Sequence, residues 1–218
     1  MKTLVKTLQE NISEAGGQIY GGLTLHIKTE ITVRIYIFSQ NGANRVFTSS
    51  ATPVLSSTID GAAVDELAIP SNTNSPIYCH AGEYDLFIEN KYRMNVISLQ
   101  QTNSAGIYSD IEAWGYMPRL AEIKLDGGIN IVGDIKWLAE NANVNMLALQ
   151  LYGTSITGDI AFLCDKLVER GRTSGAMTYV PQPRQNTFDG ELITNGASHV
   201  VRFTSDTTTY PRGWYVES

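Results

Sequence analysis

The feature that most constrains this chain is an aspartate that returns in one apolar setting. Ile107, Asp110, Ile111 and Trp114 in "IYSDIEAW" are followed by Ile131, Asp134, Ile135 and Leu138 in "INIVGDIKWL", then by Ile156, Asp159, Ile160 and Leu163 in "TSITGDIAFL". An alternating apolar pair precedes each block: Ile97-x-Leu99, Ile123-x-Leu125 and Leu149-x-Leu151. The aspartates are 24 and 25 positions apart. A period in the twenties predicts stacked units, each giving one short strand and a helical or irregular return, because a unit of that length cannot cover its own apolar face.

The aspartate itself reads as a helix cap. After Asp159, "IAFLCDKLVER" places Ile160, Leu163, Leu167 and Val168 at helical spacing, and Gly171 stands where a helix end favours glycine. This predicts a helix of about three turns. A carboxylate at its start accepts from otherwise unpaired amide N–H groups and meets the positive end of the helix dipole. Asp134 in "DIKWLAENA" repeats the arrangement, and Asp110 in "DIEAWG" gives a truncated form. A row of calcium sites needs several oxygen ligands per unit in a short Gly/Asp-rich loop, whereas each unit here supplies one. Asp110, Asp134 and Asp159 are therefore expected to be structural caps, with no metal.

The rest of the chain reads as β-structure around these units. From Gly21 to Gln100, "LTLHIKT", "ITVRIYIF", "RVFTSS", "PIYC", "YDLFIEN" and "NVISLQ" are rich in Val, Ile, Tyr, Phe and Thr and are separated by turn residues. They predict a small β-sandwich with Ile31, Val33, Ile35 and Ile37 on one buried face, and "SQNGAN" reads as a hairpin turn. The Ser/Thr/Asn/Pro-rich span 51–75 reads as a loop with one irregular strand or turn. Before the sandwich, Leu4, Val5, Leu8 and Ile12 suit a short amphipathic helix, and "GGQIYGG" a flexible joint. After the repeats, "HVVRFT" and "GWYVE" flank a long loop as a hairpin, where Trp214 and Tyr215 would cover the open end of the stack.

The third unit, "LALQLYGTSITGDIAFL", resembles the leucine-rich repeat pattern, with Thr154 or Ser155 near its Asn/Thr position. "LAEIKLDGGINIVGDIKWL" matches more loosely, and the first unit departs through Ser109 and a two-residue insertion. The resemblance covers about residues 95–175. The run "GTSITGDI", with "LV" and "RGRTSG" after it, is also similar to repeat-bearing virion proteins of gut tailed phages, the crAss-like phages included, and to surface proteins of their bacterial hosts. In such proteins a β-domain closing on a G-x-Y-x-apolar strand precedes the repeats, and "AGEYDLFIENKY" fits that strand. The resemblance implies a structural or accessory protein of a phage particle.

Composition narrows the function classes. Of 218 residues 17% are charged, and a net charge of -6 offers no basic field for nucleic acid or an anionic membrane. The N-terminus has no apolar run of signal-peptide length, so no export signal is expected. Cys79 and Cys164 lie too far apart for a metal-ligand spacing and are expected to be buried thiols. Cys79 and His80 are strand neighbours that point to opposite faces, so a buried Cys beside an exposed His is expected rather than a nucleophile and base. His26 and His199 have no carboxylate nearby in sequence and read as surface or strand residues. No G-x-S-x-G, H-E-x-x-H or cysteine-pair motif occurs.

These readings combine into an α+β, mainly β chain: an arm over 1–20, a β-sandwich over 21–95, three leucine-rich-repeat-like units over 96–176 and a C-terminal β-hairpin cap over 177–218. We expect a non-enzymatic structural or interaction protein of a virion, made in the host cytoplasm, without cofactor, metal, nucleic acid or membrane partner. The arm residues Leu4, Leu8 and Ile12 would dock it to other virion proteins or to a second copy. On the exposed strand face, Ser98, Gln100, Glu122, Lys124, Asp126, Ala148, Gln150 and Tyr152 are candidates for contact, with Lys124, Gln150 and Tyr152 foremost. The alternative is a free-standing adhesion module for glycan or protein, in which Tyr152, Trp114 and Trp214 would touch the ligand.

Overall fold

The computed structural model describes residues 22–89, 93–98, 106–114, 117, 119–125 and 130–217. The arm with Leu4, Leu8 and Ile12 lies outside these residues, as do Leu99, Gln100 and Asp126, and of Ser98 only the backbone is described. The described chain is mainly β with two short α-helices.

In the N-terminal part, β1 (Gly22–Thr29), β3 (Asn44–Thr48), β5 (Glu66–Ile69) and β7 (Gly82–Glu89) form one antiparallel sheet, in the order β1-β7-β3-β5. Facing it, β2 (Val33–Gln40), β4 (Leu55–Ser56) and β6 (Thr73–Cys79) join β8 (Arg93–Ser98) in the order β8-β2-β6-β4. Val33, Ile35 and Ile37 are buried along β2, whereas Ile31, expected in the same row, is 52% exposed. It sits in a turn that the Thr29 hydroxyl closes by donating to the Ile31 carbonyl and accepting from its N–H, so the strand starts only at Val33. The "SQNGAN" turn does not make a hairpin: β2 and β3 belong to different sheets, and the turn carries the chain across the core. Buried Ser39 and Asn44 lock this crossing, with Ser39 Oγ donating to the Gly42 carbonyl and accepting from Asn44 Nδ2. The span read as a loop holds β4, β5 and the start of β6.

Both sheets then run on without a break. In one, β8, β10 (Leu120–Lys124), β12 (Ala148–Gln150) and β14 (Ala176–Val180) are parallel neighbours. In the other, β9 (Ile107–Asp110), β11 (Ile131–Asp134), β13 (Ser155–Asp159) and β15 (Asn186–Phe188) are parallel neighbours, and β9 pairs with β1. Each unit thus gives two strands, one to each sheet. Helices α1 (Lys136–Asn141) and α2 (Ile160–Glu169) return the chain from β11 to β12 and from β13 to β14. The parallel ladders extend one unit beyond the third aspartate, through β14 and β15, into the span read as the C-terminal cap. Antiparallel strands β16 (Glu191–Leu192), β17 (His199–Phe203) and β18 (Trp214–Glu217) follow, completing two sheets of nine strands each among the described residues.

A single apolar cluster fills the space between the sheets, from Leu55 and Ile69 at one end to Met177 and Trp214 at the other. The recurring apolar residues of the three aspartate blocks, from Ile107, Ile111 and Trp114 to Ile156, Ile160 and Leu163, are buried in it, Trp114 with its ring edge-on to Trp137. Continuous ladders and a continuous core join the β-sandwich to the repeats.

Candidate functional site

Each of the three aspartates accepts a backbone N–H at the start of its helix or turn, and Asp159 also reaches the next unit. Its Oδ1 accepts from the N–H groups of Ala161 (2.8 Å) and Phe162 (3.1 Å) at the start of α2. Its Oδ2 accepts from Thr187 Oγ1 (2.8 Å) and the Gly190 N–H (2.7 Å) of the next unit. Burial opposes its charged form, but these four donors outweigh burial and keep the carboxyl below its usual pKa. Asp134 Oδ1 accepts from the Lys136 N–H at 2.9 Å, one residue before the helix cap position at Ile135, and Asp110 Oδ1 accepts from the Glu112 N–H at 2.9 Å at the head of a three-residue 3-10 turn.

The glycine before each of the last two aspartates has a steric cause. Gly133 and Gly158 have φ of 124° and 118°, and a β-carbon on either would strike the Asp-Ile pair of the preceding unit, Asp110 and Ile111 or Asp134 and Ile135. In the first unit the equivalent residue, Ser109, abuts antiparallel β1 instead. There its hydroxyl donates to the Thr24 carbonyl and accepts from Trp114 Nε1.

Beside α2 lies a cleft of about 500 Å³ lined by Asp134, Lys136, Gly158, Asp159, Phe162, Asp165, Asp189 and Arg212. Both of its basic residues are paired with acids of the same cleft. Arg212 donates from Nε and Nη2 to Asp165 (2.9 and 2.6 Å) and from Nη1 to Asp189 (2.6 Å), while Trp214 Nε1 also donates to Asp165 (2.8 Å). Burial works against the Asp165 carboxylate, but Arg212 and Trp214 hold its pKa below the usual value. Lys136 pairs with Asp134 at 3.1 Å. This ring of contacts ties the loop before β18 to α2 and to the β15–β16 turn. No local signal announced it, because Arg212 reaches partners 47 and 23 residues away.

Of the candidate contact residues, Glu122, Lys124 and Gln150 alternate with buried Ile123 and Leu149 on the outer face of the β8-to-β18 sheet. Lys124 and Gln150 are register neighbours on β10 and β12, both half-buried, with Lys124 Nζ 3.0 Å from Glu122. Tyr152, just past β12, is 56% exposed, and its ring lies against Gly196, where a β-carbon would come within 2.8 Å of it. Ala148, expected on the exposed face, is buried. Trp114 and Trp214 are buried as well, so neither presents its ring to a ligand.

The histidines and cysteines have structural neighbours. Cys79 and Cys164 are buried, and burial pushes both thiols up to about 12. His80 is half-buried rather than exposed: Ser56 Oγ donates to the Thr58 carbonyl and accepts from His80 Nε2 at 2.9 Å. His26, which has no carboxylate near it in sequence, lies 2.9 Å from Asp85 and 3.6 Å from Glu83 across the β1–β7 ladder. His199 stacks on Tyr179 at 5.0 Å. Among the described residues no group of three or more His, Cys, Asp or Glu is arranged to hold a metal ion, and no helix is long and apolar enough to cross a membrane.

Compared with known proteins, the chain matches no family model, no curated protein and no solved structure.

Proposed function

We propose that this chain is a non-enzymatic structural or interaction protein of a phage particle: a head decoration, a fibre or another accessory component that docks through its N-terminal arm. The observation that carries the structural half of this reading is Asp159. The side chain with the strongest claim to chemistry in the sequence has both oxygens engaged, capping a helix and gripping the next unit. The virion half rests on the resemblance of "GTSITGDI" and the residues after it to repeat-bearing phage proteins.

The parallel units are read as leucine-rich-repeat-like. In support, each of the second and third units has a strand ending at its apolar pair, Ile123-x-Leu125 or Leu149-x-Leu151, and a return through a second strand and a helix. Buried Thr154, near the pattern's Asn/Thr position, turns the chain by donating to the Leu151 carbonyl at 2.7 Å. Mass spectrometry and immunogold labelling of purified particles test the assignment: the protein should be found on them, and replacing Leu4, Leu8 and Ile12 by Glu should remove it. Particles that lack the protein would refute the virion reading.

Exposed Tyr152, braced on Gly196 beside Gln150, favours a second reading as a glycan- or protein-binding adhesion module. Specific binding on a glycan array that is lost with Tyr152→Ala, at unchanged stability, would support it over the first.

A further inference from the structure

Four strands end the two sheets, and they differ in what they offer a partner. β4 and β16 have two residues each, and β5 is flanked by Asp65 and Pro70, with Glu66 at its start. Short, charged and proline-bounded edges are poor templates for another strand. β18, with the sequence Trp-Tyr-Val-Glu, is longer than β4 and β16 and has no adjoining proline, and its one charge, Glu217, is already paired with Arg202 on β17.

The direction of its backbone groups follows from the ladder. The Thr204 N–H donates to the Gly213 carbonyl, and the Phe203 N–H donates to the Gly175 carbonyl on the opposite side of β17. Pairs alternate along an antiparallel ladder. With Arg202 opposite Tyr215 and Val201 opposite Val216, Tyr215 and Glu217 therefore bond inward to β17. The N–H and C=O groups of Trp214 and Val216 point out from the sheet, where no described strand pairs with them.

We propose that β18 is a self-association edge, pairing antiparallel with β18 of a second copy so that Trp214 of each faces Val216 of the other. This goes beyond docking through the arm, and rests on the reading of the chain as a structural or interaction protein. In that register both outward residues of each copy form hydrogen-bonded pairs. Val216, 36% exposed, is covered at the seam, while Trp214, its ring buried in its own copy, contributes its backbone N–H and C=O to the pair. The two Tyr215 rings meet on the other face, each already stacked on its own Tyr210 at 4.1 Å. Glu217 stands opposite Gly213 rather than another acid, and Arg202 of its own copy already pairs with it at 3.0 Å. The two copies would extend one sheet across a two-fold axis.

Sedimentation of the full chain over a wide concentration range tests this, with amide exchange at Trp214 and Val216 as the local readout. The wild type should form a reversible dimer, and both amides should exchange about 10-fold more slowly as it forms. Val216→Pro removes an N–H that β17 does not use, and Val216→Lys places a charge at the seam. Each should weaken the dimer about 10-fold or more, and Val216→Lys should leave the melting temperature of the monomer unchanged. A wild type that stays monomeric throughout would overturn the edge, whereas the virion reading is decided by whether the protein is found on particles. A dimer indifferent to both variants, with unprotected Trp214 and Val216 amides, would overturn the edge alone.

Discussion

Asp134 packs directly under Gly158. A β-carbon on Gly158 would stand 2.9 Å from Asp134 Oδ1 and would collide with Ile135, while the backbone there holds φ at 118°. Two penalties therefore coincide in Gly158→Ala, left-handed strain and overpacking, and together they should cost about 3 kcal/mol. Gly171 isolates the first: its φ is 99°, but nothing lies within 4 Å of an added β-carbon. Gly171→Ala should cost only about 1 kcal/mol. Urea unfolding of the two variants checks the difference, and equal losses would show that inter-unit packing does not set the glycine.

Asp159→Ala should be the most costly of the three aspartate substitutions. Asp110 and Asp134 each accept one backbone N–H, a loss of about 1 kcal/mol, whereas Asp159 also secures Thr187 and Gly190 and should cost about 2 kcal/mol. Thr187→Val removes one of those added bonds and should recover part of the difference between Asp159→Ala and Asp134→Ala. If Asp159→Ala and Asp134→Ala unfold at the same urea concentration, the grip on the next unit contributes nothing.

What the sequence made legible was whatever depends on near neighbours along the chain. Asp159, Ile160, Leu163 and Gly171 lie within three helical turns, and spacing alone predicts their cap, buried face and helix end. At that end Gly171 and Arg172 donate back to Val168 and Leu167. Sheet membership was not legible, because β1 pairs with β7 and β9 across intervening strands. The same distance made "SQNGAN" look like a hairpin: its turn chemistry is genuine, but turn chemistry does not say which sheet the next strand joins. The last unit was hidden because Met177 and Tyr179 replace the aliphatic pair and buried Asn186 reaches back to the Ile156 carbonyl where the earlier units have isoleucine. For the contact face, the repeat period was enough to place Lys124 beside Gln150, but the support of Tyr152 by Gly196 comes from a loop of no regular pattern.

Acid should loosen the C-terminal end of the stack. Asp159 and Asp165 both have pKa values lowered in the fold, so the stability they add is fully present above the unfolded carboxylate value of about 3.9 and is lost as pH falls through their folded values. Urea midpoints measured from neutral pH down to about pH 3 should therefore decline on the acid side. Asp159→Asn with Asp165→Asn should flatten that decline while lowering stability at neutral pH. An acid limb as steep as the wild type's in the double variant would place the titrating groups elsewhere.

Arg172 gives the sharpest test of how the units are joined. It is 3% exposed and has no carboxylate partner among the described residues; Nη1 donates to the carbonyls of Met146 (2.7 Å) and Val144 (3.3 Å), and Nη2 donates to that of Ala176 (2.8 Å). The guanidinium also lies 3.9 Å over the Phe203 ring. Burial lowers its pKa to about 10, so it is charged at neutral pH, stabilised by carbonyl dipoles and an aromatic face rather than by an anion. One planar fork thus joins the segment entering β12, the start of β14 and the face of β17. An ammonium cannot serve three carbonyls in that plane, so Arg172→Lys should cost about 3 kcal/mol, much as Arg172→Met should, despite keeping the charge. Melting curves of the two variants decide between charge and shape: full stability with lysine would mean that any cation suffices, and equal losses would mean that the fork itself holds the units together.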